Sequence, residues 1–247
     1  MDFAIESVNL TKFFGMVRAA DNLNIHIDQG ELVGIVGPNG SGKTTFLNLI
    51  TGYLKPDHGE VRYKGKNITG LPPRTLAVLG IARSFQIPQL YFDLTVQENV
   101  LLALAIRSGE GGGFWSPLSK KNRVKEGFEI LQQFGLEDYC DQKAFELPEG
   151  ERKLLDIALS FAREPQLLLM DEPTSGVSVK DKFAIMDTLV KILRGRVTSV
   201  FVEHDMDVIQ RYADRMLVFN EGKVIADGAP NDLFADSKVR KILLGKD

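Results

Sequence analysis

Apolar and polar residues alternate along Ile5 to Leu10 and again along Leu23 to Ile27, the period-two pattern of half-buried strands. Leu32 to Val36 breaks that alternation with a short apolar run ended by glycines, as in a strand buried on both faces. Lys43 to Ile50 then reads as a helix, and Val61 to Tyr63, before Lys64-Gly65-Lys66, as one arm of a hairpin. From Thr75 to Phe134 the character is helical, interrupted at Gly109 to Pro117 by a glycine-rich stretch that predicts an exposed loop. Phe114 and Trp115 inside that loop leave two readings: folding back onto a helix, or contact with a partner chain. Strand and helix alternate afterwards. Leu167 to Met170 is a buried strand, and Val179 to Leu193 is an amphipathic helix with Val179, Phe183, Met186, Val190 and Leu193 on one stripe. Thr198 to Val202 and Met216 to Phe219 are further strands, and the turn Glu221-Gly222 leads to Lys223 to Ala226. This order predicts an α/β fold: a mostly parallel core sheet, a small antiparallel β layer and a helical insert near Thr75 to Arg163.

A chain of 247 residues can bury a substantial core as one domain or two closely joined lobes. The formal net charge of −3 argues against a general nucleic-acid binder, which carries a basic excess. Cys140 is the one cysteine, so no internal disulfide forms and no oxidising compartment is implied. The three histidines, His26, His58 and His204, are far apart in sequence and suggest no metal cluster. The first residues lack the basic start and apolar run of a signal peptide. The longest aliphatic run, Val100 to Ile106, is too short to span a bilayer, so service to a membrane would come from the cytoplasmic side through another chain.

The strongest chemical signal is Gly37-Pro38-Asn39-Gly40-Ser41-Gly42-Lys43-Thr44, a phosphate-binding loop pattern with a strand before it and a helix after it. The glycines let the backbone turn so that several N–H groups point inward at an anion, and the helix start adds about half a positive charge. Lys43 is expected on the β- and γ-phosphates, Thr44 with its hydroxyl on Mg²⁺, and Thr45 beside it in the nucleotide cradle. The second signal is Leu167-Leu168-Leu169-Met170-Asp171-Glu172, an apolar strand delivering two carboxylates at its C-terminal end, where open α/β sheets bind ligands. Asp171 is expected to hold Mg²⁺ through water, and Glu172 to polarise the attacking water as general base.

Over nearly its full length the chain resembles the ABC ATPases. The resemblance implies a P-loop NTPase core, ATP and Mg²⁺ as ligands, and one ATPase domain over residues 1–247 with a helical insert at approximately 87–163. It implies that Gln86, in Arg83-Ser84-Phe85-Gln86, links the Mg²⁺ site to the helical lobe. His204, in Val202-Glu203-His204-Asp205, matches the switch histidine at the γ-phosphate. Phe14, in Lys12-Phe13-Phe14-Gly15, matches the aromatic that stacks on adenine, with a core role for Phe13 or Phe14 as the alternative.

Two segments depart from the family pattern. Where the family carries Leu-Ser-Gly-Gly-Gln, facing the ATP of the opposite subunit, this chain has Leu147-Pro148-Glu149-Gly150-Glu151. Pro148 offers neither a hydroxyl nor an N–H, and Glu149 brings negative charge where a phosphate approaches. Pro148 still suits the first turn of a helix. After Pro173-Thr174 stands Ser175-Gly176-Val177-Ser178, with Ser178 where an aspartate is usual; Ser178 can cap the next helix, with Asp181 three residues on. A sound phosphate loop beside a poor signature favours a heterodimer with a second ABC ATPase subunit, a homodimer remaining open.

Gly80-Ile81-Ala82-Arg83-Ser84-Phe85-Gln86 and Leu94-Thr95-Val96-Gln97-Glu98-Asn99-Val100 resemble the branched-chain amino-acid uptake ATPases, with the urea and amide importers close by. That resemblance implies dimer closure driving an integral membrane permease from the cytoplasmic face, and a solute-binding protein in the full system. The chain ends soon after Phe234, so no added regulatory domain is expected. Three other readings stand beside it: an ABC exporter or lipid-transport ATPase, a regulatory subunit with little hydrolysis, and an ABC-type ATPase acting on DNA or ribosomes. The acidic balance disfavours the last.

Overall fold

The computed structural model describes residues 3–109 and 121–244. Phe114 and Trp115 lie outside the described residues, so neither reading of them meets a structural observation.

Two sheets are present. The first is antiparallel, in the order β2-β1-β4-β5, and comprises β1 (Ile5–Phe14), β2 (Val17–Ile27), β4 (His58–Tyr63) and β5 (Lys66–Asn67). The second has the order β10-β9-β3-β8-β7-β6. Its members are β3 (Leu32–Val36), β6 (Ile81–Ser84), β7 (Leu167–Asp171), β8 (Thr198–Val202), β9 (Arg215–Asn220) and β10 (Lys223–Gly228). All its neighbouring pairs are parallel except β10 on β9.

The apolar runs of β3, β7 and β8 are buried on both faces, and their side chains divide between two cores. Leu168, Met170 and Phe201 point to one core, while Val33, Ile35, Leu167, Leu169, Val200 and Val202 point to the other. The second core also holds α1 (Lys43–Ile50), through Phe46, Leu47, Leu49 and Ile50, and the inner face of the antiparallel sheet. The first is covered by α3 (Val96–Arg107), α4 (Lys121–Phe134), α5 (Glu149–Phe161), α6 (Val179–Leu193) and α7 (Met206–Tyr212). A capping box starts α3: Thr95 accepts from the Glu98 amide and Glu98 accepts from that of Thr95.

Three expectations are corrected. The stretch from Thr75 is not continuously helical. The short α2 (Pro73–Val78) ends before Gly80, at φ +96°, and Ile81–Ser84 becomes the edge strand β6, paired with β7 alone. The buried stripe of α6 is rotated from the expected one, to Ile185, Met186, Leu189, Ile192 and Leu193, and Val179 is 68% exposed in a first turn that projects beyond its packing. Pro148 precedes the first turn of α5, as its N-cap, with Glu149 the first helical residue.

Candidate functional site

The phosphate loop leaves the end of β3 in the middle of the parallel sheet and runs into α1. Gly37, at φ +152°, passes so close to β9 that a Cβ would meet the Phe219 carbonyl at 2.2 Å. Gly42, at φ +104°, lies against β2, where a Cβ would meet the Ala19 carbonyl at 2.3 Å. Both contacts are with backbone, so neither position accepts a side chain. The loop is thereby pinned between the two sheets.

Lys43 is 6% exposed, and its ammonium donates to the carbonyls of Gly37 at 2.7 Å and Pro38 at 3.1 Å. Burial lowers its pKa, opposed by the carboxylates of Glu172 and Asp171. The buried hydroxyl of Ser41 has no hydrogen-bond partner, an orphaned polar atom within the loop. A cavity of about 280 Å³ opens over the loop, lined by Asn39 to Thr45, Ala19, Glu172 and His204. The exposed Thr44 lies within it. An anion carried to this loop meets an unpartnered hydroxyl and a buried cation at the start of α1, so the residues fit a phosphate group.

Strand β7 delivers Asp171 and Glu172 beside the loop. Glu172 adopts φ +52°, an uncommon left-handed conformation for a residue with a side chain, while its N–H donates to the Val202 carbonyl at 3.0 Å. Its carboxylate is held at both ends: Gln86 Nε2 donates to Oε2 at 2.8 Å, and His204 Nε2 lies 2.9 Å from Oε1. A neutral imidazole donating there carries its proton on Nε2. Asp171 accepts from Arg83 at 2.7 Å, with the paired side chains 6% and 8% exposed, and Arg83 also donates to Asn48 of α1 at 2.5 Å.

Glu172, Gln86, His204, Lys43 and the loop therefore converge. Phe14 does not line the cavity: it stands half-exposed at the end of β1, with the Lys12 ammonium 5.9 Å from its ring centre. The segment Leu147–Glu151 also lies away from the phosphate cradle. Pro148, Glu149, Gly150 and Glu151 line a separate surface cavity with Gly176, Ser178 and Asp181. Ser178 caps α6 as expected, accepting from the Asp181 amide at 3.3 Å.

Four charged residues were given no role by the sequence, although Arg83 and Glu203 stand inside quoted motifs. Arg83 pairs with Asp171. Buried Glu203 accepts from the amide and hydroxyl of Thr174, at 2.9 and 2.7 Å, and burial raises its pKa. Asp156 accepts from the Phe85 and Gln89 amides, at 3.2 and 2.8 Å, so it fixes the chain on either side of Gln86. Lys153 reaches the main chain behind Glu172. The available signal was the i, i+3 spacing of Lys153 and Asp156 on the inward face of α5, where a wholly apolar stripe is the rule.

A family model described as ABC transporter matches residues 20–175. The chain belongs to the ABC transporter family. It is thus an ATP-binding cassette, and its chemistry is ATP hydrolysis. A probable branched-chain amino acid transport ATP-binding protein, LivG of Archaeoglobus fulgidus, is 36% identical, over 98% of this chain and 95% of that protein. The crystal structure of an ABC transporter cassette in its ADP conformation superimposes with a TM-score of 0.88 at 34% identity, covering 100% of both chains. A cassette in a dimeric post-hydrolysis state, bound to ADP and Pi, gives a TM-score of 0.78 at 30% identity, over 92% of this cassette and 98% of that chain. Among the described residues no helix is long and apolar enough to cross a membrane.

Proposed function

We propose that this cassette is the ATP-hydrolysing subunit of an importer for branched-chain amino acids or related small polar solutes. It would act as a peripheral subunit on the cytoplasmic face of a membrane permease. The observation that carries the hydrolytic part is the carboxylate of Glu172, held between Gln86 and His204 at the mouth of the phosphate cradle. The importer part is supported by relatives named as branched-chain amino acid transport ATP-binding proteins over nearly the whole chain. A solute-binding protein completes such a system.

In this reading the amides of Gly37 to Thr44 and the ammonium of Lys43 bind the β- and γ-phosphates. Lys43 exchanges its two loop carbonyls for phosphate oxygens, so the cation is already in place before substrate arrives. Glu172 orients the attacking water and takes its proton. His204 and Gln86 hold that carboxylate until the substrate's phosphate displaces one of them. Phe14 supplies a stacking face for adenine. Thr44, Asp171 and Gln86 are oxygen donors suited to Mg²⁺, the latter two by way of water. A metal held there would neutralise negative charge on the phosphates. The 247 residues act as one ATPase unit with a helical insert at approximately 87–163, and the segment Gln86 to Glu98 carries the contact to the permease.

Dimeric cassettes among the solved relatives support action as a pair. Pro148 and Glu149 weaken the face offered to the partner's ATP, so the pair is a heterodimer: one site is built on Lys43 and Glu172 here and completed by a sound signature from the other chain. The test is purification of this chain from detergent with its permease, then assay of ATPase stimulation by leucine, isoleucine and valine. Co-purification with stimulation supports the reading. Hydrolysis indifferent to a permease and to all three amino acids overturns the importer assignment.

A further inference from the structure

A buried cation outside the phosphate cradle is tied to three separate segments. Lys153 lies one turn into α5 and is 4% exposed. Its ammonium donates to the Gln86 carbonyl at 3.3 Å, the Glu172 carbonyl at 3.2 Å and the Ser175 hydroxyl at 2.8 Å. All three of its protons are used. Burying an ammonium is costly, and burial pulls its pKa down, against the carboxylates of Glu149, Glu203, Glu172 and Asp156. Such a group persists where its geometry is needed. The two carbonyls belong to the residues whose side chains meet above it, Gln86 Nε2 on Glu172 Oε2. The third acceptor stands one residue before Gly176, which is covered by the Glu149 carboxylate: a Cβ on Gly176 would lie 2.4 Å from Glu149 Oε1.

We propose that Lys153 is a positioning residue for hydrolysis, clamping the main chain of Gln86, Glu172 and Ser175 to α5 so that the first turn of that helix and the hydrolytic carboxylate form one rigid unit. The proposal rests on Glu172 as the base. The hydrogen bonds of Lys153 reach no residue of the phosphate loop, and of the residues lining the cavity over it they reach Glu172 alone, at its main-chain carbonyl. Its loss therefore changes where the Glu172 carboxylate sits and leaves the nucleotide cradle intact. A misplacement of about 1 Å at the reacting group is enough to cost roughly a hundredfold in rate.

The experiment uses the full chain assembled with its partner subunits. Lys153→Met retains the length and apolar stem and removes the cation. We expect kcat to fall about 10²-fold, with the affinity for a non-hydrolysable ATP analogue changed by less than about threefold. Ser175→Ala lowers kcat by itself, and its loss does not add to that of Lys153→Met, since both open the same clamp. Parental kcat in Lys153→Met overturns the proposal, as does an equal loss of analogue affinity. Should the Lys153→Met variant not fold, Ser175→Ala alone decides, and parental kcat there also overturns it. Glu172→Gln in the same assay keeps the two failures apart. Its retaining turnover removes the assignment of the base, whereas its losing turnover while Lys153→Met keeps it removes only the clamp.

Discussion

Arg83, on the edge strand β6, donates to Asp171 across 2.7 Å at the end of β7, and both side chains are almost wholly buried. The pair is tied to the helix that follows the phosphate loop, because the same guanidinium reaches Asn48 of α1. Removing one partner leaves the other charge buried and uncompensated. Arg83→Met is therefore expected to destabilise the protein by about 3 kcal/mol, read as a lowered urea midpoint. An unchanged midpoint would show that Asp171 finds another partner.

Lys43→Ala removes the buried cation of the cradle. ATP affinity, measured calorimetrically, should fall at least about tenfold, the scale of one lost charge-assisted contact. Parental affinity would place phosphate binding on the amides alone.

Glu172→Gln keeps shape and one acceptor but loses the base. Turnover should fall about 10²–10⁴-fold, while ATP binding persists and the closed pair accumulates on size exclusion. Turnover at the parental rate would assign proton removal to another group.

Asp156 has its pKa raised from 3.8 to about 6, by burial against the opposing pull of two amide hydrogen bonds and Lys153. The folded state binds the extra proton between those values. Its contribution to stability is therefore present below about pH 4 and lost as pH rises through about 6, on the order of 3 kcal/mol. Asp156→Asn removes this term, so its stability relative to the parent should rise from pH 4 to pH 7 in urea titrations. A difference that stays constant over that range would contradict the shift.

Pro148→Ser with Glu149→Gly restores a hydroxyl and removes a charge at the face offered to a partner's ATP. The isolated parental chain should hydrolyse slowly and the repaired chain faster, by up to about 10²-fold for one regained donor. Mixing the parental chain with its genomic partner should also raise the rate. Fast hydrolysis by the isolated parental chain, with no gain on repair, would favour a homodimer.

The site was legible where chemistry forces residues to be contiguous. A phosphate cradle needs its glycines and lysine within one loop, and β7 presents Asp171 and Glu172 in succession. The strands around them were legible because burial on both faces demands unbroken apolar runs. β6 was not. It is four residues long, has a single neighbour and contains Arg83 and Ser84 in place of branched apolar side chains. Lys153, Asp156 and Glu203 were illegible for a different reason. Their partners are distant in sequence, as with Lys153 and Gln86, separated by 67 positions, and no spacing announces such a meeting. Val179 misled because helical periodicity says nothing of how far a helix extends past what covers it.

The parallel sheet also acts as a partition for mutational compensation. Leu168 and Leu169 are adjacent in sequence yet fill opposite chambers. Volume removed at Leu168 can be returned by a larger residue near Met170, Phe201 or Ile185, which share its side. Nothing enlarged around Val200 or Phe46 can reach it, since those side chains pack across the sheet. Substitutions that drift in size along β7 must therefore be balanced in two independent sets, one against the helices and one against the antiparallel layer.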